Sequence, residues 1–201
     1  HGFWAYDWAD DCMPIAKIDT EKREITLGGV HEYGLKPILG GGRYYALNML
    51  EEIDIPGEYY IDPYIGMLYF YPPSREGDGQ WGISLTTDPL LKMKEVSYVA
   101  IENITFELCR DMAVIMEGGQ GNRIAGCTIR NTGGWAILVD GGAHHTVQSC
   151  AIYNVGRGGI RLVGGDQKKL VKAGHMALNN HIHHFSRRAR TYQFALAING
   201  V

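Results

Sequence analysis

Between residues 103 and 164 apolar and polar positions alternate in short runs, and the runs repeat. Written as three rows, NITFELCRDMAVIMEGG, CTIRNTGGWAILVDGG and CAIYNVGRGGIRLVGG fall into register. Phe106, Ile129 and Ile152 share one column; Val114, Ile137 and Ile160 share a second; Met116, Val139 and Leu162 share a third. The step is 129 − 106 = 23 and 152 − 129 = 23. Each row holds two short alternating strands between Gly-rich corners, with no 3.6-residue apolar spacing. A self-similar period of this length stacks into a solenoid. The pattern therefore predicts an all-β fold, a right-handed parallel β-helix, with its coils over residues 96–201.

Residues 1–95 read differently, as a hairpin and short-helix region packed on the solenoid. HGFWAYDWA puts Trp4, Tyr6 and Trp8 on one face of an extended strand, either a platform for sugar rings or packing aromatics. Ile15 to Asp19 and Arg23 to Leu27 predict one hairpin, Glu58 to Asp62 and Met67 to Tyr71 a second. Tyr44 to Glu52 predicts a short helix, with Leu47, Leu50 and Ile53 on one side. Residues 74–80 read as a solvated loop, Trp81 to Thr86 as a further strand, and Val96 to Phe106 as the entry to the coils.

The fourth coil is enlarged. Ile152 aligns with Ile182, one period plus 7, and Leu162 with Ile198, one period plus 13. The extra residues fall in DQKKLVKAGHM and SRRARTYQF, the most basic part of the chain. Insertions in a solenoid become loops on one side, often the binding side.

Composition narrows the field. A net charge of −3 without a long run of one sign argues against a nucleic-acid or membrane-surface partner. No apolar run approaches the roughly 18 residues of a membrane span. The chain opens on His1 and not on Met, which predicts a processed chain or a piece of a longer one. Cys12, Cys109, Cys127 and Cys150 make no CxxC pair. Cys127 and Cys150 lie one period apart and stack inward, as buried thiols or as a disulfide.

Two stretches carry a resemblance. RYYALNMLEEIDIPGEYYIDPYIGMLYFYPP (43–73) and GGDQKKLVKAGHMALNNHIHHFSRRARTY (164–192) resemble segments of large bacterial right-handed β-helix proteins linked to polysaccharide breakdown. These are similar to the β-helical glycoside hydrolases, among them β-xylosidases and α-L-fucosidases, and more distantly to the β-helical polysaccharide lyases. The resemblance implies a secreted or periplasmic bacterial protein and a polysaccharide or oligosaccharide substrate. It also implies a chain that starts inside the family's N-terminal region and ends in mid-solenoid. The catalytic residues of relatives are expected on coils outside this stretch, so none is carried over onto this chain.

The chemistry is read from the outward columns. Glu117 and Asp140 share one, on adjacent rungs, with Cα atoms about 5 Å apart. Retaining glycosidases need two carboxyl groups about 5–5.5 Å apart, so these are the catalytic candidates. Solvated turn residues before Gly-Gly corners, or ligands of a calcium ion, are the alternatives. Arg161, one rung on, is placed to hold a carboxylate or a sugar. His181 and His183 face outward beside Tyr153, and with Asp166, Arg188 and Tyr192 of the inserted loops they are the substrate-binding candidates. HxHH alone is a weak metal signature, so no metal site and no cofactor is expected beyond that calcium option. His184 falls in a corner column with Asn131 and Asn154, read as a polar ladder serving the turns.

Three functions follow. The first is a glycoside hydrolase working in a groove on the outer face of the coils. The second is a polysaccharide lyase using the basic loops on uronate polymers. The third is a non-catalytic carbohydrate-binding or structural module. A coil that stops at Val201 leaves unpaired backbone groups, so a homo-oligomer through that end, or further chain, is expected.

Overall fold

The computed structural model describes residues 1–37, 42–73 and 82–200. The chain divides into two compact units, His1–Trp81 and Gly82–Val201.

In the first unit β1 (Gly2–Phe3) pairs antiparallel with β2 (Asp10–Asp11). β3 (Ile15–Asp19) and β4 (Glu24–Leu27) form one hairpin, β5 (Tyr59–Asp62) and β6 (Met67–Phe70) the other, as the sequence predicts. Two expectations fail here. The helix over Tyr44 to Glu52 shrinks to one 3-10 turn, Leu50–Glu52. Asn48 takes φ 56, outside the helical region, and its amide bonds the backbone of Ile61 in both directions, at 2.7 and 2.9 Å. The side chain thus replaces a strand partner, which a helix would forbid. Residues 4–8 are bends and not a strand. Tyr6 and Trp8 stack at 5.5 Å with Tyr33 edge-on to both, while Trp4 leaves them to lie over Tyr44.

The second unit is three parallel sheets. Sheet 1 holds β7 (Leu91–Lys94), β10 (Val114–Glu117), β13 (Ile137–Asp140), β16 (Ile160–Val163) and β19 (Leu196–Asn199). Sheet 2 holds β8 (Ala100–Glu102), β11 (Arg123–Ala125), β14 (Thr146–Gln148) and β17 (Met176–Leu178). Sheet 3 holds β9 (Thr105–Cys109), β12 (Thr128–Thr132), β15 (Ala151–Val155) and β18 (His181–His183). The chain visits sheets 1, 2 and 3 in turn and returns one level on, so every strand pairs with the strand of the same sheet in the next rung. This is a right-handed parallel β-helix.

The register matches the repeat. Phe106, Ile129, Ile152 and Ile182 pair in sequence, as do Met116, Val139, Leu162 and Ile198. Ile129, Val139, Ile152 and Ile160 are fully buried, because alternation points one face of each short strand into the shared interior. β7 opens the solenoid, ahead of the entry read at Val96, and sets Met93 under Met116. Residues 82–86 form no strand, and Thr86 contributes only its carbonyl, to the Arg110 amide at 3.1 Å. The loop read over 74–80, and Trp81, lie outside the described residues.

Corners repeat with the strands. Leu108, Asn131, Asn154 and His184 all take left-handed φ of 51–62°. Asn103, Gly126, Ser149 and Asn179 form a second left-handed column. Asparagine is enriched because its short side chain tolerates this conformation. The first column is thus selected by backbone conformation, and Asn154 adds a bond to Arg187. At Gly119, φ +73, an added Cβ would run into the Val96 carbonyl, so the corner also requires the missing side chain.

One corner is buried and polar. Asn122, His145 and His175 stack between sheets 1 and 2. His145 accepts from the Asn122 amide at Nδ1 (3.1 Å) and bonds the Gly118 carbonyl through Nε2 (3.0 Å), which fixes a neutral ring. His175 accepts from the His145 amide at 3.2 Å, and the two rings stack at 5.1 Å. Burial pushes both imidazoles below their ordinary pKa. The step 145 − 122 = 23 was visible in the sequence, but a lone Asn or His gives no apolar signal to follow. Cys127 and Cys150 are buried free thiols, and so is Cys109; Cys12 is exposed.

Candidate functional site

On the outer face of sheet 1, Glu117 and Asp140 pair in register on neighbouring strands. Paired strands lie about 4.8 Å apart, so the carboxylates leave the backbone at that spacing. Each sits at the end of its strand, held there by the glycine corner that follows. Lys92, on the rung before, places Nζ 2.8 Å from Glu117 Oε1. Asp140 is exposed and carries no salt bridge among the described residues. Arg161 stands exposed on the same face, in the column of Leu138.

Sheet 3 presents a second row. Glu107, Arg130, Tyr153 and His183 follow one another across four strands. Arg130 donates from Nε to Glu107 (2.6 Å) and from Nη1 to the Tyr153 oxygen (3.1 Å). The bond to Glu107, then that to Tyr153, raise the guanidinium above its ordinary range. Tyr153 and His183 stack at 5.2 Å with rings 2° from parallel. His181 lies 4.7 Å from His183, and His183 Nδ1 meets His184 Nδ1 at 2.6 Å, so one of those nitrogens carries the proton. Crowding by the surrounding protein, then the neighbouring His181 and His184, push His183 below its ordinary pKa. Glu107 and Arg130 are one period apart, the signal that exposes this ion pair in the sequence.

The remaining candidates lie on loops. Asp166 closes the loop after β16: its Oδ1 accepts from the amides of Lys168 and Lys169, and its backbone bridges Val171. Its oxygens are taken up by that loop, toward the end of sheet 1 that holds Glu117 and Asp140. Arg188 and Tyr192 belong to the loop between β18 and β19, at the opposite end of the sheet 1 strands. Arg188 bonds Gly156 through its amide, and its side chain lies over the bare corners of Gly133 and Gly156. The fold thus gathers three carboxylates (Glu117, Asp140, Asp166) with lysines of the same loop at one end and a basic, aromatic set (His181, His183, Arg188, Tyr192) toward the other, with Arg161 between.

Among the described residues no group of three or more His, Cys, Asp or Glu is arranged to hold a metal ion. No curated protein and no solved structure matches the chain. Residues 80–193, more than half of the 201, match the family described as the right handed beta helix region. That span covers β7 to β18, the first inserted loop and most of the second, so sequence pattern and strand register agree: the chain belongs to the right-handed β-helix family.

Proposed function

We propose that this chain acts on a sugar polymer as a glycoside hydrolase, with the polymer lying along the outer face of sheet 1. The observation that supports it most is the in-register pair Glu117 and Asp140 on adjacent strands. Their spacing suits a retaining mechanism, in which one carboxylate attacks the anomeric carbon and the other carboxyl protonates the departing oxygen. Glu117, held in place by Lys92, is the nucleophile. Asp140, exposed and without that cation, is the acid and then the base for the attacking water. Membership of a fold family supports sugar chemistry only by analogy, so the assignment rests on the site.

The test is reducing-sugar release from a panel of polysaccharides. Asp140→Asn and Glu117→Gln are each expected to lower turnover about 10²–10⁴-fold, the usual cost of removing an acid–base group. Undiminished turnover in either variant removes the assignment. The row Arg130, Tyr153 and His183 supports a second reading, β-elimination on a uronate polymer. There Tyr153 or His183 would take the proton and Arg130 face the developing charge. Elimination leaves a conjugated double bond, so ultraviolet absorbance of the product separates the two.

A further inference from the structure

Charge is distributed unevenly along this chain. From Gln167 to Val201 there is no Asp or Glu, while Lys168, Lys169, Lys172, Arg187, Arg188 and Arg190 contribute six cations. The first 166 residues carry the other 19 − 6 = 13 Lys and Arg against all 22 Asp and Glu, a balance of 13 − 22 = −9. A chain that is acidic elsewhere thus turns basic on its fourth rung.

The loop between β18 and β19 gives this charge a shape. It is pinned to the rung below: Ser186 to the Arg157 carbonyl (2.7 Å), Arg188 to Gly156 (2.8 Å), Arg187 to Val155 (3.3 Å). Within it the Ser186 hydroxyl donates to the Gln193 carbonyl at 3.3 Å. A cavity of about 590 Å³ opens there, lined by His184, Phe185, Ser186, Arg187 and Arg190. Arg187 is fixed by a neutral partner, Asn154 Oδ1 at 2.9 Å, and among the described residues it makes no salt bridge. The equivalent corners on the rungs below are the short turns Gly133-Gly134 and Gly156-Arg157-Gly158.

We propose that this cavity binds the carboxylate or sulfate group of an acidic saccharide. The inference rests on the sugar-polymer reading above and names its substrate class. The guanidinium of Arg187 offers a planar fork to an oxyanion, Arg190 adds a second positive charge to the wall, and the His184 side chain a neutral bond. The Phe185 ring gives the sugar an apolar wall. Bound here, the acidic group of one residue anchors the polymer while its chain runs over β16 and β19 toward Asp140.

The experiment is affinity electrophoresis of the whole chain through gels containing polygalacturonate, dextran sulfate, neutral xylan or single-stranded DNA. Arg187→Gln/Arg190→Gln is compared with Lys22→Gln, which removes an exposed charge from the first unit. Both acidic polysaccharides are expected to retard the protein, xylan not. The double variant weakens that binding at least tenfold, Lys22→Gln leaves it unchanged, and Arg187→Lys falls between. Protection of Cys150 from alkylation verifies that each variant is folded. Unchanged retardation in the folded double variant, xylan held as tightly as polygalacturonate, or DNA held as tightly as either acidic polysaccharide overturns the proposal. Turnover in Asp140→Asn reports separately: cleavage lost on a neutral polymer without acidic binding sinks only this inference. Acidic binding with cleavage undiminished in Asp140→Asn sinks only the catalytic assignment.

Discussion

Replacing Ile129 by alanine tests the stacked register directly. Ile129 is fully buried in the interior column, between Phe106 and Ile152. The substitution deletes three carbons, roughly 2.4 kcal/mol of transfer free energy at about 0.8 kcal/mol per methylene. The neighbours are held by parallel ladders above and below and cannot close the gap, so a cavity term adds to this. The expected cost is about 3–4 kcal/mol. Ile182 occupies the same column one rung past Ile152 but is only partly buried, because β18 pairs on one side alone among the described residues. Ile182→Ala should cost roughly half as much on the same scale. The assay is pulse alkylation along a urea titration, reading Cys127 and Cys150 by mass spectrometry. These thiols sit in β-helix interior columns next to Ile129 and Ile152, so they report on the solenoid and not on the N-terminal unit. The midpoint should fall for Ile129→Ala at unchanged slope. Equal costs for the two variants, or a cost under about 1 kcal/mol for Ile129→Ala, would refute the column as the source of stability.

Two further outcomes follow from the interior. In the native protein Cys12 should react fast with a thiol reagent. Cys109 and Cys150 should not, since burial both shields them and pushes their thiols up in pKa; more than one fast thiol would contradict the packing. The His145 and His175 pair should make the solenoid acid-sensitive. Unfolded imidazoles take protons near pH 6.5, whereas the folded, buried pair resists, so the unfolded state binds more protons. Their contribution is present above about pH 6.5 and lost as pH falls through the lowered native values. His175→Asn, which repeats the residue that Asn122 already places in this column, should flatten the dependence of the Cys150 midpoint on pH; an unaltered slope would show that other groups set it.

The solenoid was legible in the amino-acid sequence because each rung is local. Parallel in-register pairing converts a linear step of 23 into vertical stacking, so Phe106, Ile129 and Ile152 could be aligned by counting. Counting also carried Ile182 and Ile198 across the two insertions, and it set Glu117 beside Asp140. What counting could not supply was the partner of each side chain. Lys92 reaching Glu117, Arg130 bridging Glu107 and Tyr153, and Asp166 turned to its own loop depend on rotamers and on corners held in left-handed backbone. Nor could local pattern fix the first unit, where Asn48 bonds Ile61 and a helical spacing gives way to a cross-chain contact. Periodic burial is a property of the chain taken a few residues at a time; polar partnership is decided only when distant residues have been brought within about 3 Å of one another.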